Sequence, residues 1–234
     1  MLAGANMTGA VVKGANLGEA TSRGFTAQQL YSTASYRQRN LERIQLSDDD
    51  LSGWDFSGQK LTGAGLGGSD LSGTDLSGAD LSSAHLHKTM LTGADLSNTN
   101  LTNAHVSFST LSEANLSDAD LSKAQLEDSV LNDVNLHRAN LSNASLRRAS
   151  LEGANLTDAL IQGADFRQTT QLGFTQEQLY STASWQQKNL RGIWLAANDL
   201  TGWDFSNQDL SAANFNISNM TDANLSGAIL ANAG

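Results

Sequence analysis

No cysteine occurs in the 234 residues, so neither disulfide bonds nor thiolate metal centres stabilise the chain, and its redox compartment is left open. No apolar run is long enough to span a bilayer, and Met1 leads into Leu2-Ala3-Gly4-Ala5-Asn6 without a basic and then hydrophobic leader. No compartment is addressed, and the cytoplasm is the default expectation. Basic residues are scarce: fourteen Lys and Arg stand against twenty-four Asp and Glu, for a net charge of −10, and Arg147 and Arg148 form the only adjacent basic pair. That balance argues against direct nucleic-acid binding. Large apolar residues are also few. Leu, Ile, Val and Phe total 51 of 234 residues, close to the level below which a chain fails to form a core.

What is present is order. Thirty of the 34 leucines fall on a five-residue grid, and from Leu41 to Phe166 every fifth residue is Leu except Phe56, Val106, Ile161 and Phe166. Neither a helix (period 3.6) nor an ordinary strand (period 2) reads this way. A period of five describes a coil that stacks on itself and buries each grid residue in a continuous column. Two places before each centre from Leu66 to Phe166 stand only Ala, Ser, Thr or Val, which must point inward. One place before is often Asp or Asn, one place after is usually Ser or Thr, and two places after Gly or Asn recurs, all residues that favour turns.

Ala79-Asp80-Leu81, Ala94-Asp95-Leu96, Ala114-Asn115-Leu116 and Ala154-Asn155-Leu156 carry the tandem A-[D/N]-L-x-x motif, and the chain thereby resembles the pentapeptide repeat family. The resemblance implies an all-β fold, a right-handed quadrilateral β-helix (β-solenoid) with four pentapeptides per coil. At the usual strand spacing its central block would rise roughly 30 Å.

Two interruptions divide the grid, from Leu17 to Leu41 and from Phe166 to Leu190, each a step of twenty-four. They are copies, since residues 25–66 and 174–215 align without a gap. The expected organisation is a partial coil over 1–17, a helix-bearing insert over 18–40, the main solenoid over 41–169, a second insert over 170–189, and C-terminal coils over 190–234. Thr26 with Gln29, and Thr175 with Gln178, have capping-box spacing; Phe25 with Leu30, and Phe174 with Leu179, form the matching hydrophobic staples. Short helices are therefore predicted over 27–33 and 176–182, lying outside or across the end of the coil. Trp54 and Trp203 occupy the normally small inward position and are expected to pack against their own insert helix, with an aromatic ligand platform as the competing reading.

No catalytic residue is assigned. A repeat multiplies Ser, His and Asp without singling one out, and no phosphate loop, HExxH motif or evident carboxylate pair is present. The expectation is a non-enzymatic scaffold or protein-binding rod, with no cofactor, no membrane and an unidentified protein partner. The competing reading follows from the family resemblance: some members are acidic rods that imitate DNA and bind type II topoisomerases such as gyrase. Stacking at twenty residues per coil gathers Asp55, Asp75 and Asp95 on one face and Asp50 and Asp70 on the next, an interaction or cation-binding corner. Elsewhere it predicts alternating ladders, such as Asp118 with Arg138, Glu127 with Arg147, and Asp128 with Arg148, which weaken a mimic's field. His85 and His105 should stack, with His87 nearby, as candidate metal ligands against the plainer reading of exposed turn residues. The grid runs from Leu2 to Leu230 without a polar cap, so a longer array, or end-to-end self-association, is also expected.

Overall fold

A computed structural model describes residues 2–234. In the central block parallel bridges join residues twenty apart, as from His85 to His105 and from Gln125 to Ser145, so four pentapeptides make one coil. The pairing is β-helix-like but discontinuous. Among the described residues no extended strand forms, because each side contributes a single bridged residue between two turns. The outer faces are lettered here by their inward centres: A by Leu46, Leu66 and Leu86; B by Leu51, Leu71 and Leu91; C by Phe56, Leu76 and Leu96; D by Leu61, Leu81 and Leu101.

The five-residue motif follows from the demands of its backbone N–H groups, which must be paired where water is excluded. In the repeat centred on Leu71, the centre's N–H reaches Met90 O in the next coil (2.7 Å) and the Gly73 N–H reaches Thr92 O (2.9 Å). The Asp70 N–H donates back to Asp49 O (2.9 Å), and the Ser69 N–H closes the turn onto Leu66 O (3.2 Å). Only the Ser72 N–H is left, and it donates to Asp70 Oδ1 (2.9 Å). Asp or Asn therefore precedes the centre because its side chain satisfies the one donor that the coil-to-coil bonds omit.

The second residue after the centre takes the left-handed conformation, whatever its side chain: Gly73 has φ 61, Asn98 φ 56, Lys123 φ 61 and Phe108 φ 60. Inside, the centres from Leu41 to Phe166 are buried, with the small residues between them. Each buried Leu contributes roughly 1.5–3 kcal/mol of transfer free energy, which is how a composition with few large apolar residues builds a core.

Each insert is built into a coil, with some residues bulging outward, and does not lie across the end of the stack. Asn16 bridges Gln45 and Asp165 bridges Trp194, so each insert belongs to a coil of 29 residues where the others take 20. The first insert comprises a 3₁₀ turn (Thr21–Arg23), α1 (Ala27–Ser32) and α2 (Ala34–Arg37); the second comprises a 3₁₀ turn (Thr170–Leu172), α3 (Gln176–Ser181) and α4 (Ala183–Gln186). The capping boxes form as spaced, and the predicted helices form as α1 and α3, each one residue shorter than expected and each followed by a second short helix that the spacing does not show. Thr33 and Thr182 end α1 and α3 in extended conformation, and each caps the next helix by accepting from Tyr36 N–H or Trp185 N–H. Gln29 Nε2 also donates to the Leu2 and Ala5 carbonyls of the coil below, binding the helix to the stack. The extra residues loop out and return: the Phe25 N–H bonds Ala20 O (3.0 Å) and the Asn40 N–H bonds Ser35 O (2.8 Å). Gly24 and Gly173 end the 3₁₀ turns at φ 85 and φ 92, where a Cβ would lie 2.6 Å from Ala3 Cβ and 2.6 Å from Glu152 N respectively.

Candidate functional site

The acidic residues fall into the expected columns. Asp50 bridges Asp70 on face B, and Asp55, Asp75 and Asp95 follow one another on face C. Every one of these carboxylates accepts the N–H two residues on, at 2.8 to 3.1 Å. The Ser52 hydroxyl and N–H together hold the Asp50 carboxyl below its usual range. Above Asp95 the column turns to amides, and Asn115 Nδ2 donates to Asp95 Oδ1 (3.1 Å), followed in the same way by Asn135 and Asn155.

His85 and His105 stack with ring centroids 5.2 Å apart. His105 Nδ1 pairs with Gln125 Oε1 (2.9 Å), and His87 packs edge-on against Phe108 at 5.3 Å, away from the other two. Among the described residues no three metal-ligating side chains converge. Of the charge ladders, Arg138 meets Asp118 (3.0 Å) and Arg148 grips Asp128 through two nitrogens (both 2.7 Å). Glu127 instead accepts from the Ser107 hydroxyl (2.7 Å), and Lys60 reaches Glu42 as does Lys13.

In the inserts, Trp54 lies 5.7 Å from Phe25 and 6.4 Å edge-on to Tyr31, while Trp203 lies 5.9 Å from Phe174. Leu30 and Leu179 are buried. Tyr31 Oη accepts the Asp55 N–H (2.6 Å), and Tyr36 Oη donates to Asp55 O (2.8 Å). Burial, and then the Asp55 charge, push the Tyr36 phenol up to about 12. The first insert and the coil above it enclose an open hollow of about 580 Å³ that brings Asp50 and Trp54 together with Phe25, Asp48, Thr21 and Thr26. Asp50 and Trp54 stand out in the sequence for separate reasons. Asp48 does not stand out by itself, and the signal that finds it is the copy, where residue 197 is Ala.

The outer faces are not equivalent. On C and D the residue before the centre is mostly Asp or Asn, whereas the face A column reads Gly65, His85, His105, Gln125, Ser145, Asp165, Trp194. Face B substitutes Met90, Thr110 and Val130 in its column. Five of the exposed large apolar side chains lie on these two faces or the corner between them, Met90, Phe108, Val130, Trp194 and Ile217, while Val11, Leu172, Ile229 and Leu230 are exposed elsewhere. Arg167 lies over the Trp194 ring at 4.6 Å while pairing with Asp165. No helix among the described residues is long and apolar enough to cross a membrane.

Comparison with known proteins agrees with this geometry. The pentapeptide repeats family pattern matches in eight copies across residues 40–78, 79–118, 94–133, 109–148, 135–170 and 189–227. No curated protein matches the chain significantly in sequence. Among solved structures, it is similar to HetL, a pentapeptide repeat protein involved in heterocyst differentiation regulation from the cyanobacterium Nostoc sp. strain PCC 7120 (29% identity, 85% of this chain and 91% of that one, TM-score 0.49). It is also similar to trypsin-treated QnrB1, a plasmid-mediated fluoroquinolone resistance protein (18% identity, 80% and 82% coverage, TM-score 0.52), a likeness of fold alone. With its twenty-residue bridges, its buried grid and a family match over most of its length, the chain belongs to the pentapeptide repeat family.

Proposed function

We propose that the protein is a non-enzymatic rod, a right-handed quadrilateral β-helix that serves as a scaffold or protein-binding surface. The observation that carries this reading is the face A column, which runs bridge by bridge from Asn16 to Asn214 through both inserts. A continuous ladder keeps side chains far apart in sequence at fixed spacing along one face, as a rigid docking surface requires. That face and its neighbour B give up the turn-capping Asp or Asn for His, Trp, Met and Val, and exposed apolar groups of this kind mark protein contact better than catalysis.

The DNA-mimic reading draws on the net charge of −10 and the Asp55, Asp75 and Asp95 column. Against it stand the ion pairs of Arg138, Arg148, Arg167 and Arg191, which interrupt any uniformly negative surface. A gyrase supercoiling assay with the folded protein, run beside sedimentation to report self-association, separates the two. The rod reading expects no effect on supercoiling; inhibition or protection that is lost in the triple variant Asp55→Asn, Asp75→Asn, Asp95→Asn would replace it with the mimic.

A further inference from the structure

The two inserts are copies 149 residues apart, so each is a control for the other. Around the first, the hollow of about 580 Å³ has Trp54 and Phe25 as its aromatic wall and Asp48 and Asp50 as its only charged lining. In the second copy the corresponding positions hold Trp203, Phe174, Ala197 and Asp199, and Ser22 and Ala27 are replaced by the larger Gln171 and Gln176. Trp203 is only 7% exposed, whereas Trp54 keeps part of its surface open at the hollow. The copy thus retains the aromatic framework, which insert packing explains, and lacks two features that packing does not explain: the second carboxylate and the accessible indole.

We propose that this hollow binds an alkylammonium group, either a free quaternary amine or the methylated side chain of a lysine. A ring face attracts a cation through its quadrupole, and the attraction grows where water is partly excluded. Two carboxylates supply the counter-charge, and an apolar aromatic wall suits the methyl groups better than it suits a small inorganic ion. Arg23, on the 3₁₀ turn that lines the hollow, is engaged by Glu19 (3.0 Å). The α1 N-terminus, whose polarity would favour an anion, is closed by its own capping box of Thr26 and Gln29. This inference goes beyond the rod reading and survives its failure, because a free amine would bind with no protein partner at all.

The test is an NMR titration that follows the Trp54 indole N–H, identified by its absence from the Trp54→Phe spectrum. Choline, its uncharged tert-butyl isostere 3,3-dimethylbutanol, and a trimethyl-lysine peptide are added separately. Choline or the peptide should shift Trp54 and leave Trp203 unmoved, with the isostere about tenfold weaker. Asp48→Asn and Asp50→Asn keep the local shape and remove charge, and together they should weaken binding about tenfold. Tighter binding of the peptide assigns a protein-borne lysine; equal or tighter binding of choline assigns a free amine. Equal response to the isostere, no loss in the double variant, or no shift at Trp54 in protein with native melting overturns the proposal. Should Trp54→Phe fail to fold, sequential assignment identifies the indole and the Asn variants carry the test.

Discussion

At the scale of single residues, the most informative comparison is Asp49 with Asn198, the same position in the two copies. Asn198 is buried and fully used: its Oδ1 accepts from Thr169 and Thr170, and its Nδ2 donates to the Phe166 and Leu195 carbonyls at 2.7 and 3.0 Å. Asp49 repeats the accepting half, toward the Thr21 N–H and hydroxyl at 2.7 and 2.9 Å, but its Oδ2 is buried without a partner. A second acceptor stands where the fold offers carbonyls. Asp49→Asn should therefore stabilise the protein by about 1–3 kcal/mol, the usual cost of an unsatisfied buried polar group, read as a raised thermal midpoint. The reciprocal Asn198→Asp should lower it. An unchanged midpoint in both would show that the two sites differ in more than the amide.

At the scale of the coil side, the columns explain both the rule and its exceptions. An amide above a carboxylate closes a bond, as Asn100 does to Asp80 and Asn140 to Asp120, each at 3.1 Å. Asp75 has another carboxylate above it, Asp95, and no such donor. Asp95→Asn should stabilise by about 1 kcal/mol through one gained bond and one lost like-charge contact, and the gain should shrink in high salt. A second contact between coils is pH-dependent. Glu42 lies between Lys13 and Lys60, whose hydrogen bonds and charge hold its carboxyl down to about 2, against an ordinary 4.5. Because the folded-state pKa is the lower one, this contribution is complete above about pH 4.5 and disappears as the pH falls toward 2. Denaturation at about pH 5 and about pH 3 should show wild type losing more stability on acidification than Glu42→Gln; parallel losses would place the acid sensitivity elsewhere.

These elements also mark the extent to which the sequence is legible. The grid, the capping boxes and the twenty-residue columns are all local or strictly periodic, so spacing alone reveals them. The second short helix of each insert, which starts after Thr33 or Thr182, is not, because the chain turns there to fit the coil below: the Gly9 N–H bonds Ser32 O and Ser35 Oγ takes the Val12 N–H. The same is true of His87, whose ring neighbour is Phe108 in the next coil. The hollow at Trp54 depends on which side chains fail to fill space, a property that repeats conceal until two copies are compared.

At the scale of the whole molecule, the continuous face A column makes the solenoid one stack, but each coil touches only its neighbours, so damage should depend on where it falls. Leu121 is fully buried in mid-stack, with Leu101 and Leu141 in the adjoining coils. Leu121→Asp puts a charge where no partner can reach it, at a cost of several kcal/mol, comparable with the total stability of many domains. It should abolish cooperative melting of the central block. Leu225, only partly buried in the last coil, offers the contrast: Leu225→Asp should fray that coil and leave the rest protected. Hydrogen exchange resolves the two outcomes, with protection lost across the central coils in the first variant and confined to residues beyond about 205 in the second. Native protection in Leu121→Asp would mean that the grid residue does not point inward, and the assignment of the core would fall with it.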